Sequence, residues 1–396
     1  MSELLDGTGP SGHVPADSEP FGVLLLDKPE GPTSHDVVAW VRWCLGVTQV
    51  GHCGTLDPAA SGLLVVCVGA ATRLVPYLTG VDKIYRARFA LGRSTTTEDR
   101  EGETVALAPA GPRERDAALR ALAGLHGALM LPPPAFSAVK IDGQRAHRLA
   151  RRGELVSLPP RPMTVRSVED LAGSPDDLVS EEPWVAGIGP WVDATIAVSK
   201  GTYIRSLAVE LGQRIGLPVH LAGLRRLASG TLRVDEPRAL TGITATPLPD
   251  PRPGLPPKLR LGLDRAGQGE PGRAGQRVAL QAALLDPWEA LPLPTVVIAE
   301  NDPRMSTLTR LRHGQAVPLD AELAAWLPAS SLTAGEGLPE AARVALRGAG
   351  CLIIARREPR GGARVPAGEA CGESPEPPEQ LRPERVLATE KLAPTA

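Results

Sequence analysis

Residues 192–212 read VDATIAVSKGTYIRSLAVELG. Val192, Ala194, Ile196 and Val198 alternate with Asp193, Thr195 and Ala197, which is the period of a half-buried strand. Past Lys200-Gly201 the apolar positions become Ile204, Leu207, Ala208 and Leu211, the spacing of an amphipathic helix, predicted to end near Gly212. One short stretch therefore runs from strand to helix, with Tyr203 and Arg205 at the junction. Working outward, Gly22 to Asp27, Leu63 to Val68 and Ile84 to Leu91 read as strands. A helix is predicted from Ser34, its N-cap, with Val37, Val38, Val41, Cys44 and Leu45 on one face, and another over 114–125. These elements do not repeat as regular βαβ units. The order predicts an α+β fold around a central mixed, largely antiparallel sheet flanked by helices and loops.

The 396 residues suffice for two or three domains. Residues 1–20 are Gly/Pro-rich and acidic, and read as a disordered tail. Residues 21–249 hold the strand and helix patterns just described. A Pro/Gly-rich connector is predicted over 250–283 and a smaller β-rich unit over 284–389, with a disordered insertion at 359–380 and a tail at 390–396. The longest apolar runs are strand-sized and no secretory leader is visible, so a cytoplasmic protein without membrane contact is expected. Five cysteines at 44, 53, 67, 351 and 371 form no Cys-x-x-Cys pair, which suits reduced thiols better than a disulfide frame or zinc site.

The formal charge of −2 hides an uneven distribution. Residues 1–20 carry −4 and residues 361–380 carry −3, leaving the rest of the chain positive. Lys140, Arg145, Arg148, Arg151, Arg152 and Arg161 stand against Asp142 and Glu154, a basic block suited to phosphates. A solvated face is the alternative reading of such a block.

GHCGTLDPAASGLL, residues 51–64, is a second informative stretch. Asp57-Pro58 biases the chain to a turn, and Asp57 could simply cap it. Gly54 and Gly62 would let another backbone come close, and His52 adds a flat polar side chain nearby. Tyr85 and Tyr203 are two of only three tyrosines in the chain, each at a polar or glycine-marked strand boundary.

Six ordered motifs carry a resemblance: LLLDKPEGPTSHDVV, GHCGTLDPAASGLLVV, DKIYRARFALGRSTTTEDREG, PPPAFSAVKIDGQRA, VSKGTYIRSLAVELG and LRRLASG. Together they resemble the TruB family of bacterial tRNA pseudouridine synthases, over about residues 21–245. RLRHGQAV and LRPERVLA resemble that family's small PUA-like C-terminal domain. The resemblance implies isomerisation of uridine 55 in the tRNA T loop, by base flipping, glycosidic bond cleavage and re-formation through carbon. It implies no cofactor and no metal. It makes Asp57 the catalytic aspartate, Arg205 its charged partner and Tyr85 the residue stacked on the flipped uracil. Tyr203 and Leu224 would line the pocket, and His52 would fill the space the base leaves. Lys28 would support the Tyr85 strand and the substrate site. Lys140, Arg151, Arg152, Arg225 and Arg226 would hold T-arm phosphates. A monomer needing no protein partner is expected. His147 stands where the family usually has a tyrosine.

Three other readings compete. One is a non-catalytic tRNA-binding or folding protein on the same scaffold, and another a guide-RNA-dependent pseudouridine synthase. The third is an Asp-dependent glycosidase, for which Glu98 or Asp99 would have to supply the second carboxyl.

Overall fold

The computed structural model describes residues 20–388, apart from 138, 142–143, 147–148, 150–151, 153–157, 176–188, 249–257, 265–266, 268, 294, 299–301, 303–304, 314, 319–342, 349–350 and 360–378. The expectations for the N-terminal tail, for His147 and Arg151, and for most of the insertion at 359–380 fall outside the described residues. The chain divides into two compact units, Phe21–Leu285 and a second from Asp286 onward.

The first unit begins with β1 (Gly22–Lys28), α1 (Ser34–Leu45), β2 (Val50–His52), β3 (Ala60–Val68), α2 (Val75–Thr79) and β4 (Lys83–Leu91). A ribbon of β5 (Arg93–Thr95) and β6 (Thr104–Leu107) follows, then α3 (Pro112–Ala123) and β7 (Gly127–Leu131). The hairpin β8 (Lys140–Ile141) and β9 (Gln144–Arg145) leads to β10 (Arg161–Gly173), β11 (Trp191–Val198) and α4 (Ile204–Ile215). Next come β12 (Val219–Ser229), β13 (Leu232–Arg233), β14 (Ile243–Pro247), β15 (Leu259–Leu263) and α5 (Arg273–Ala282).

The main sheet runs β1-β3-β12-β4-β11-β10-β7, with β2 added to β3 and β13 to β12. Its pairings are antiparallel except one: β12 lies parallel to β3, with Leu224 opposite Ala60 and Arg226 opposite Gly62. Gly62 makes this possible. Its φ is +98°, and a Cβ there would stand 2.3 Å from the Arg226 carbonyl oxygen. The close backbone foreseen is therefore β12 at Gly62, whereas at Gly54 the neighbour is the Arg226 guanidinium, 3.5 Å from where a Cβ would stand.

Helix starts and stops differ slightly from the expectation. Thr33, not Ser34, caps α1: its hydroxyl accepts from Asp36 N and the Asp36 carboxylate accepts from Thr33 N. Gly212 does not end α4, which continues to Ile215 and stops at Gly216 with φ +66°. Gly212 is instead needed where the chain folds back, because a Cβ there would stand 2.8 Å from Leu217 O.

The stretch expected as a connector carries structure. Proline and glycine mark its start, but β15 pairs with β14 and α5 packs on α1. Trp40 Nε1 donates to Gln276 Oε1 at 2.9 Å, and Leu280 is fully buried in the same core. Leu285 then exchanges two backbone hydrogen bonds with Val23.

The second unit holds α6 (Pro287–Ala290), β16 (Thr295–Val297), α7 (Met305–Arg312), β17 (Val317–Pro318), β18 (Arg343–Gly348), β19 (Cys351–Pro359) and β20 (Glu379–Ala388). Its sheet order is β16-β18-β19-β20-β17, over a core that includes Leu308, Leu311, Val344, Ile353 and Leu381. This is the β-rich C-terminal region foreseen. Among the described residues no helix is long and apolar enough to cross a membrane.

Candidate active site

The turn after β2 is held by five residues. Ser34, freed from capping, donates its hydroxyl to Leu56 O at 3.0 Å and accepts from Leu56 N at 2.9 Å. Gly31 N donates to Pro58 O at 2.8 Å. Arg226 lies beneath: Nε donates to Leu63 O at 2.7 Å, Nη2 to Gly54 O at 3.1 Å and Nη1 to Thr55 O at 3.4 Å. Lys28 Nζ donates to Pro29 O and Pro32 O at 2.8 Å, and reaches Pro58 O at 3.5 Å.

Lys28 and Arg226 were both expected at the substrate. Both are fully buried with their donors turned to backbone carbonyls, so they position the loop. Lys28 sits beneath the Pro58 turn and pairs across to Gly62, not to the Tyr85 strand. Burial lowers its pKa to about 8, with Asp57 the largest opposing influence.

The fifth is the ion pair. Arg205 Nε lies 3.0 Å from Asp57 Oδ2 and 3.9 Å from Asp99 Oδ2. Its Nη1 donates to Thr97 O at 3.2 Å and its Nη2 to Phe136 O at 3.0 Å. Arg205 stands in the first turn of α4, where the positive helix end disfavours a cation. Two carboxylates offset that cost and fix the guanidinium plane. Asp57 remains about one-third exposed whereas Arg205 is buried, so only the carboxylate faces outward.

An open pocket is lined by Asp57, Ala59, Ala60, Asp99, Leu221, Ala222, Gly223 and Leu224. The single parallel pairing builds it, because β12 passes directly beside the Asp57 turn. On its other edge β12 pairs with β4, setting Arg226 opposite Tyr85 and Leu224 opposite Ala87. Tyr85 is nearly buried, and Tyr203, just before α4, is half-buried. Burial raises the Tyr203 pKa, partly countered by the Ser137 hydroxyl. His52 precedes the turn, its ring edge-on to His35 with centroids 5.3 Å apart. Burial and the neighbouring His35 lower its pKa, which favours a neutral ring.

Lys140 faces Arg145 across the β8–β9 hairpin, and Arg152 is exposed. Arg225 is half-exposed and bidentate to Asp27 at 2.8 and 2.9 Å.

Sequence proximity alone had suggested Glu98 and Asp99. Asp99 joins Arg205 and is fastened by Thr97 Oγ1 and Glu101 N. Glu98 has φ +64°, its N–H donating to Thr95 O and its carbonyl accepting from Leu221 N. Its Oε2 is buried with no hydrogen-bond partner among the described residues. Burial pushes this carboxyl up to about 7, against Arg205 and with Asp99. The folded protein thus keeps a proton that the unfolded chain loses near pH 4.5, so stability falls as pH rises from about 4.5 through 7. Glu98→Gln is expected to raise stability at pH 8 by about 1–3 kcal/mol, the gain shrinking toward pH 5. Urea unfolding at the two pH values checks this; an equal gain at both would contradict it.

Comparison with known proteins identifies a family. The family described as TruB family pseudouridylate synthase (N terminal domain) matches residues 42–204. The tRNA pseudouridine synthase B of Thermobifida fusca is 45% identical over 228 residues, covering 57% of this chain and 74% of that protein. That of Parasynechococcus marenigrum is 42% identical over 236 residues, covering 60% and 77%. Among solved structures, a chain of the Cbf5-Nop10-Gar1 complex is similar with a TM-score of 0.50 and 25% identity, covering 83% of this chain and 74% of that one. On sequence and fold together, the chain belongs to the TruB family of pseudouridylate synthases.

Proposed function

We propose that this protein converts uridine to pseudouridine in tRNA, at position 55 of the T loop, with Asp57 as the catalytic carboxylate. The Asp57–Arg205 pair carries the reading: a carboxylate held by a buried guanidinium at 3.0 Å, at the edge of an open pocket. A tRNA substrate is supported by the relatives named tRNA pseudouridine synthase B.

The reaction breaks the C1′–N1 bond of the nucleotide and forms C1′–C5, with a proton lost from C5 and one gained at N1. It is redox-neutral. A stacked uridine cannot offer C1′ to a protein carboxylate, so the base must first leave the loop, at a cost of about a few kcal/mol. The neutral His52 ring would fill the vacated position. Tyr85 and Leu224 would hold the extruded uracil, with Tyr203 closing the pocket wall. Asp57 would attack, or stabilise positive charge at C1′, while Arg205 keeps its oxygens aimed. Asp99, held by the same guanidinium, keeps Arg205 from swinging away.

The tRNA arm would be recognised through shape and phosphates. Lys140, Arg151 and Arg152 are the basic residues proposed for that contact. Arg151→Ala with Arg152→Ala is expected to weaken tRNA binding and to reduce the slope of log affinity against log salt by about 1–2. Filter binding across a salt series reads this, and an unchanged slope removes the block from the interface. The C-terminal unit is proposed as a PUA-like RNA-binding domain following the catalytic unit.

The decisive experiment uses purified protein and a T-arm stem-loop carrying C5-tritiated uridine, with no other RNA or protein. Stoichiometric tritium release, with pseudouridine mapped to position 55, is the expected result and fits a monomer acting alone. Binding without release would favour the non-catalytic reading, and release only with an added RNA the guide-dependent one.

A further inference from the structure

Three buried thiols lie in the first unit, at Cys44, Cys53 and Cys67. Cys44 faces an amide, Gln276 Oε1 at 3.6 Å. Cys53 and Cys67 face each other, Sγ to Sγ, at 3.5 Å. Cys53 sits in the stretch GHCGTLD, one residue after His52 and four before Asp57. The catalytic reading uses neither sulfur.

The strand register explains the contact. Gly51 pairs with Cys67 and His52 with Val66, and Cys53 N donates to Val65 O at 2.8 Å. Cys53 therefore stands diagonally from Cys67 on the same side of the β2–β3 pair. Diagonal Cα atoms in such a pair are about 7–8 Å apart. That exceeds the usual disulfide range of about 4.4–6.8 Å, so a bond between these sulfurs requires the backbone to move. β3 is a nine-residue strand in the middle of the core, whereas β2 has three residues. The moving partner is β2, together with the segment after it.

We propose that Cys53 and Cys67 form an oxidation site, at which a hydroperoxide joins the two sulfurs and draws the 51–57 segment out of its catalytic position. Gly51 and His52 on the three-residue β2 are partly exposed, so a small oxidant reaches the sulfurs through a local opening of this strand. The contact with Cys53 and burial both raise the Cys67 pKa. Cys53, between the partly exposed His52 and Gly54, is the sulfur placed to react first. Its thiolate attacks the peroxide, forming a sulfenic acid and releasing an alcohol or water. The Cys67 sulfur then displaces water from that sulfenic acid, closing the disulfide. Two thiols are oxidised by two electrons, and one hydroperoxide is reduced.

Closing from 3.5 Å to a covalent bond of about 2.05 Å moves the sulfurs together by roughly 1.5 Å. The neighbours of Cys53 are His52 and Gly54, and the Gly54 carbonyl is held by Arg226. Pulling on this segment disturbs the clamp that sets Asp57. A displacement near 1 Å at a reacting group is worth about 100-fold in rate.

The test treats the full-length protein with hydrogen peroxide, blocks remaining thiols, and digests with trypsin followed by Asp-N. Trypsin leaves residues 43–73 in one piece, and Asp-N cuts it before Asp57. The expected result is fragment 43–56, carrying a blocked Cys44, joined to 57–73 and two mass units light, with fragmentation spectra placing the link at Cys53 and Cys67. Pseudouridylation should fall at least tenfold and return with dithiothreitol. Cys67→Ala is expected to stay active before and after peroxide; should it fail to fold, Cys53→Ala takes its place. Free Cys53 and Cys67 after treatment would overturn the proposal, as would a cross-linked protein that is still fully active. The mapping does not depend on the catalytic reading, so failure of that reading would leave the cross-link result standing.

Discussion

Asp57→Asn is expected to lower the rate of the chemical step by at least about 1,000-fold while changing tRNA affinity by less than about tenfold. Asparagine has nearly the shape of aspartate, and its Oδ1 can still accept from Arg205 Nε, now 3.0 Å away. The turn is also held independently of the side chain, through Leu56 and Pro58 to Ser34 and Gly31. Position is therefore retained and only the charge is removed. A carboxylate that attacks C1′, or offsets positive charge there, has no substitute in an amide. Single-turnover assays with saturating protein separate the step from binding. A variant retaining more than a few per cent of the wild-type rate would show that another group does the chemistry.

The second large effect concerns stability. Arg226→Met is expected to destabilise the folded chain by about 4 kcal/mol, from three carbonyls left unsatisfied at about 1–3 kcal/mol each. The guanidinium serves Leu63, Gly54 and Thr55 from a position that is 1% exposed, so water does not replace it easily. Methionine fills much of the same space, which keeps a cavity from dominating the loss. For a unit of this size the melting temperature should fall by roughly 10 °C. Calorimetry on the full chain measures it. A fall of only a degree or two would mean the carbonyls find other donors.

These two residues also show what a sequence can and cannot reveal. The strand-to-helix change at 192–212 is written in periodicity, a local property, and the structure follows it closely. The Asp57 turn was legible because proline and glycine restrict backbone angles locally. Arg226 was not legible in the same way. A cation facing a phosphate and a cation facing three backbone carbonyls read alike in sequence, and only the β3–β12 pairing distinguishes them. The buried position of Lys28 was hidden for the same reason. Ser34 was assigned to the wrong task because Thr33 beside it caps equally well, and its true partner, Leu56, lies 22 residues away. The segment containing α5 was masked by its Pro/Gly-rich approach; that helix buries only Gln276 and Leu280, too few positions for a clear stripe.

The lone parallel pairing in the main sheet has a consequence for how the protein comes into being. β3 ends at Val68 and β12 begins at Val219, and β4, β10, β11 and α4 all lie between them in the chain. Loop closure across such a distance is slow, and it is rewarded only once the intervening strands have found their places. Asp57 is thus synthesised early and acquires Arg205 and the Arg226 clamp late. A nascent chain that has not yet emerged past Ser229 holds the aspartate without the machinery that directs it. On the proposed function, a chain whose last strands have not joined the sheet is expected to carry no activity toward RNA.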